Sequence, residues 1–102
     1  MITLDEIRPR LAAGTFEFSR HAFKRAVERN ISERDIREAA RGASVIENYP
    51  DDKYAPSCLL LGFTEAGRPL HLPVSYIESD MLKIITIDQP DPEEWYDYSR
   101  RR

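Results

Sequence analysis

A chain of 102 residues with 41% hydrophobic and 32% charged side chains fits one domain, residues 1–102, with one modest core and a well-solvated surface. Its formal net charge of −3 argues against nucleic-acid binding driven by overall charge. The single cysteine, Cys58, excludes an intrachain disulfide, and no Cys/His cluster has zinc spacing.

Thr3 and Glu6 form a capping-box signature, after which Leu4, Ile7 and Leu11 recur at helical spacing until Gly14, with Pro9 as a point of strain. A short segment, Phe16-Glu17-Phe18, follows. Ser19 is placed to N-cap a second helix from Arg20 to Arg29. At 100° per residue, Ala22, Phe23, Ala26 and Val27 share an apolar arc, while His21, Lys24, Arg25, Glu28 and Arg29 share the opposite, polar one. Asn30 breaks the pattern. Ser32 and Asp35 form a further capping box, Ile31 can staple against Ile36, and a third helix ends at Gly42.

From there the period changes. Ala43 to Tyr49, Ser57 to Thr64, Arg68 to Ile77 and Leu82 to Asp88 are rich in strand-forming residues and read as four strands. Glu65-Ala66-Gly67 and Ser79-Asp80 supply tight connections, which implies an antiparallel meander. The expected fold is therefore α+β, with N-terminal helices packed on a four-stranded antiparallel sheet. After it, Asp91 to Trp95 reads as a turn or helix start that docks Trp95. No apolar stretch approaches the roughly 20 residues a membrane helix needs, and the opening residues lack the apolar run of a signal, so a cytoplasmic location with no membrane partner is expected.

Residues 20 to 41 hold seven basic side chains against four acidic ones, a local +3 that leaves −6 for the rest. Within this segment His21, Arg25 and Arg29 form a ladder at i, i+4 and i+8, with Lys24 beside it. An imidazole can move a proton near neutral pH, and guanidinium groups can hold phosphate oxygens; the plainer reading is a solvated face. His71, three residues after Arg68, alternates away from Leu70, Leu72, Val74 and Tyr76 and so projects to the more polar side of the sheet. Two histidines suffice for a metal-free acid/base pair, one taking a ribose 2′-OH proton and the other protonating the leaving oxygen. Tyr49 and Tyr54, in a loop with Asp51, Asp52 and Lys53, could stack on bases, or that loop is turn chemistry alone. Thr86 is a strand residue or a polar group of the site. Asp51 and Asp52 have no third ligand at a diagnostic spacing, so neither a metal nor another cofactor is expected.

The run Ser19-x-His21-Ala22, then Glu28-Arg29-Asn30-Ile31-Ser32-x2-Asp35-Ile36, Val45-Ile46-Glu47-x-Tyr49-Pro50-x-Asp52 and Gly67-Arg68-Pro69-Leu70-His71, closed by Ile85-Thr86 and Pro90-Asp91-Pro92-x2-Trp95, resembles the family known as domain of unknown function 4258. The resemblance implies a RelE/ParE-like, barnase-like ribonuclease fold and metal-free RNA cleavage by a toxin whose gene lies beside that of an antitoxin. It carries over onto His21, Arg25, Arg29, Arg68, His71 and Thr86, so that His21, Arg25 and His71 are the expected catalytic residues and Arg29, Arg68 and Thr86 the expected RNA or phosphate ligands, to which the basic helix face adds Lys24 and the loop reading adds Tyr49. RNA, on or off the ribosome, and a cognate antitoxin protein are the implied partners. The chain departs from the family pattern at Asp88, where an aromatic is expected, and at Pro73, which interrupts a strand. The alternatives are a non-catalytic protein-binding module of the same fold and a gyrase-inhibiting toxin.

Overall fold

The computed structural model describes residues 4–52, 56–76 and 81–102. The Thr3 cap and the Ser79-Asp80 turn lie outside them, as do Lys53 and Tyr54. Helices α1 (Leu4–Ala12), α2 (Arg20–Glu28) and α3 (Glu33–Arg41) precede most of the sheet, so the molecule is α+β as expected. None of the described helices is long and apolar enough to cross a membrane.

Each helix ends where its sequence says it must. In α1, Ile7 and Leu11 are fully buried, and Gly14 ends the turn at φ +80°, a conformation that costs a residue without a Cβ little. Ser19 caps α2 by accepting from the Ala22 amide. The Ser32–Asp35 box opens α3 in both directions, and Ile31 and Ile36 are buried across it.

The sheet departs from the four-stranded antiparallel meander. Five strands, β1 (Phe16–Phe18), β2 (Ser44–Tyr49), β3 (Ser57–Phe63), β4 (Pro69–Ser75) and β5 (Leu82–Ile84), stand in the order β1-β5-β4-β3-β2. The added strand is the Phe16-Glu17-Phe18 segment, which pairs parallel to β5, Phe16 opposite Leu82 and Phe18 opposite Ile84. Three residues are too few to show a period. Phe16 is drawn in by burial against Phe18 and the core, while Glu17 faces Lys83.

Pro73 sits in β4, an inner strand, where a missing N–H should leave a partner stranded. The structure shows how this is accommodated. The Pro73 carbonyl accepts from the Ile85 amide at 2.8 Å, so its ring nitrogen faces the same neighbour, and the Ile85 carbonyl instead accepts from the Ser19 hydroxyl at 2.7 Å. The ladder then slips: Val74 faces Ile84 but His71 faces Asp88, one extra residue on the later segment. The strand expected over Leu82 to Asp88 therefore ends at Ile84. Ser19 thus serves both the cap of α2 and the gap left by Pro73. Ser19→Ala is expected to cost about 1–2 kcal/mol, read from urea unfolding; an unchanged midpoint would contradict the shared role.

The core lies between the helices and one face of the sheet, where Leu60, Leu70, Leu72, Val74, Leu82 and Ile84 meet Ile7, Leu11, Ile36, Ala39 and Ala40. The expected inward face of β4 is thus correct for Leu70, Leu72 and Val74. On α2 only Ala22 and Ala26 are buried, and the other half of its apolar arc, Phe23 and Val27, stands in solvent. The tail forms a second small sheet, β6 (Trp95–Tyr96) with β7 (Arg100–Arg101), turned by Asp97 and Tyr98 at positive φ.

Candidate functional site

Alternation along β3 and β4 sends Leu59, Leu61, His71 and Pro73 to the face opposite the helices, with Leu61 registered to His71 and Leu59 to Pro73. The β6–β7 hairpin folds over part of that face. Between them opens a cleft of about 530 Å³. Its lining includes Arg25 of α2 and its C-cap Arg29, Glu47 and Tyr49 of β2, and Asp88, Trp95 and Arg101 from the later part of the chain.

His71 projects to the side of the sheet opposite the core, as its alternation implies, but it is only 6% exposed because the hairpin covers it. Its Nε2 lies 2.6 Å from the Tyr98 carbonyl oxygen, and the Trp95 ring stands edge-on at 4.4 Å. A carbonyl only accepts, so Nε2 carries the proton, and in the neutral ring Nδ1 is left with the lone pair. Burial pulls the imidazole's proton affinity below its ordinary 6.5, against the opposing pull of the Tyr98 carbonyl and of the Glu47 and Asp88 carboxylates.

Glu47 and Tyr49, two residues apart on one strand, share a face. The Tyr49 hydroxyl donates to Glu47, and Arg101 donates to both carboxylate oxygens at 2.9 and 3.1 Å. The guanidinium holds the Glu47 carboxyl below its usual range, while the bond to Glu47 raises the Tyr49 phenol. Cys58, also at the cleft, is pushed up to about 12 by burial and carries a proton at neutral pH.

The residues singled out from the sequence divide into two groups. Arg25, Arg29, Tyr49 and His71 meet in the cleft. His21, Lys24, Arg68 and Thr86 do not line it. His21 is exposed near the start of α2, and Lys24 points to solvent beside Glu28 at 4.0 Å. Arg68 is a structural clamp: it donates to the carbonyls of Arg29 and Asn30 at 2.7 and 3.0 Å and to Gln89, capping the end of α2. The Thr86 hydroxyl is buried with no partner among the described residues. Arg25 is bound to Asp88, which also lies 4.0 Å from Arg29. The aspartate at the departure from the family pattern therefore offsets part of the charge of the two arginines. Glu47, Asp88, Trp95 and Arg101 join the site without being among the residues expected there; Glu47 and Trp95 stand in the family pattern and Asp88 departs from it, while the sequence carries no signal for Arg101.

Fold and cleft define a small α+β domain with a buried, tautomer-fixed histidine at the floor of a charge-paired groove. The chain belongs to the family described as domain of unknown function (DUF4258), whose model matches residues 18–88, or 71 of the 102 residues. No curated protein and no solved structure matches the chain.

Proposed function

We propose that this protein is a toxin-type endoribonuclease of RelE/ParE-like fold that cleaves RNA without a metal, with its chemistry in the cleft of His71. The observation that carries the reading is the imidazole itself: buried, held through Nε2 by the Tyr98 carbonyl, and set among arginines and a tyrosine. Nδ1 takes the proton of a ribose 2′-OH. The 2′-oxygen bonds to phosphorus as the bond to the 5′-oxygen breaks, leaving a 2′,3′-cyclic phosphate, and the departing oxygen takes a proton from water. Arg25 and Arg29 balance charge on the phosphate oxygens once the substrate displaces Asp88, and Tyr49 offers a ring for stacking.

The test is incubation of purified protein with RNA, with analysis of the new ends. Cyclic phosphate ends are expected. The rate should rise with pH as Nδ1 loses its proton, with a midpoint below the ordinary 6.5 and a plateau through neutrality. RNA left intact where a control ribonuclease cuts it refutes the reading.

A second reading, a protein-binding module whose partner is an antitoxin-like chain, is favoured by Phe23 and Val27, which stand 61% and 67% exposed side by side on α2. A gyrase-inhibiting toxin has no comparable support, and inhibition of supercoiling without RNA loss would be its sign.

A further inference from the structure

The β6–β7 hairpin lies beyond the span matched by the family, yet it supplies the contacts that define the cleft floor. The Tyr98 carbonyl accepts a hydrogen bond from His71 Nε2–H, Trp95 stands against the ring, and Arg101 grips Glu47 with two hydrogen bonds. The Arg101 guanidinium also lies 4.7 Å from the centre of the Trp95 ring. A long surface side chain is costly to order, and one surface ion pair adds little stability. A planar fork that is doubly bonded on one side and stacked on the other instead fixes direction, which arginine can do and lysine cannot.

We propose that Arg101 is a positioning residue: stacked on Trp95, it fixes the Glu47 carboxylate in the cleft that holds the His71 imidazole, so that the hairpin completes the reactive site. Its consequence for rate rests on the ribonuclease reading; its consequence for the imidazole does not. Glu47 and Asp88 draw protons toward His71, and Arg101 opposes them. From α2, Arg25 and Arg29 face the same cleft beside Asp88, and from the segment before β6 so do Asp91 and Glu94. Tyr49 and Cys58 are uncharged at neutral pH.

The experiment follows the His71 ring by NMR titration in the full chain, alongside cleavage rate against pH, for wild type, Arg101→Gln, Arg101→Lys and Glu47→Gln. Arg101→Gln removes the positive charge and leaves the negative one, so the His71 midpoint moves up and the acid limb of the rate profile moves with it. Glu47→Gln moves the midpoint down. Arg101→Lys restores the midpoint but not the fork, and both Arg101 variants lose roughly tenfold or more in plateau rate through misplacement. A folded Arg101→Gln protein with the wild-type midpoint, or shifts of the same sign in Arg101→Gln and Glu47→Gln, overturns the proposal. If Arg101→Gln does not fold, Glu47→Gln decides: without the downward shift the proposal fails. Should the midpoints move as stated while no chain cuts RNA, the ribonuclease reading falls and only the charge coupling of Arg101 and Glu47 to His71 stands.

Discussion

His71→Gln is expected to abolish RNA cleavage, by about 10²–10⁴-fold, while leaving the domain folded. Glutamine can place an amide N–H where Nε2 stands and keep the bond to the Tyr98 carbonyl, but it offers no basic nitrogen in place of Nδ1. His21→Ala should cleave at close to the wild-type rate, because that ring lies outside the cleft. Equal loss in both variants would move the chemistry away from His71. The same substitution tests a stability effect. In the folded chain His71 binds its proton less readily than in the unfolded one, so its contribution is complete above about 6.5 and is lost as pH falls toward the folded value. Unfolding free energy of the wild type should therefore decline on mild acidification more steeply than that of His71→Gln.

Gly62→Ala is expected to be the glycine substitution with the worst steric clash, costing about 3 kcal/mol or more. Gly62 lies in β3 directly beneath α3. A Cβ there would strike the Ala39 carbonyl oxygen, lie 2.8 Å from the carbonyl carbon and reach 3.1 Å from the Ala39 Cβ. Two of these atoms belong to helix backbone, so no rotamer change relieves the clash; α3 must lift from the sheet and open the contacts of Ile36, Ala39 and Ala40. Gly42→Ala is the control, since an added Cβ there meets nothing within 4 Å. Thermal unfolding of the pair should separate them by many degrees, and similar midpoints would mean that α3 rides more loosely on β3 than the structure has it.

Three helices and four of the five main-sheet strands were legible because each carries a long local signal: a cap, a period, or a run of branched residues between turns. β1 was not, since a three-residue strand acquires its identity from Leu82 to Ile84, far along the chain. The α2 face misled for a related reason. Periodicity reports an apolar arc but not its width in use, and Ala22 and Ala26 alone bring α2 against the core. At the site, alternation placed His71 on the correct side of the sheet. What covers that side is a hairpin held by backbone bonds and by arginine stacking on Trp95 and Tyr96, which leave no periodic trace. Arg68 shows the limit of reading charge as function, since its guanidinium is consumed by two carbonyls at the end of a helix.

The parallel pairing of β1 with β5 has a consequence for the order in which a newly made chain becomes competent. Phe16 emerges from the ribosome early but cannot join the sheet until Leu82 has been translated, and long loops close late. The cleft waits longer still, because the oxygen that orients His71 belongs to residue 98 and the guanidinium that grips Glu47 to residue 101. A ribosome-bound fragment that ends between Asp88 and Asp97 carries the three helices and the five strands of the main sheet with no assembled cleft, so the fold precedes the groove.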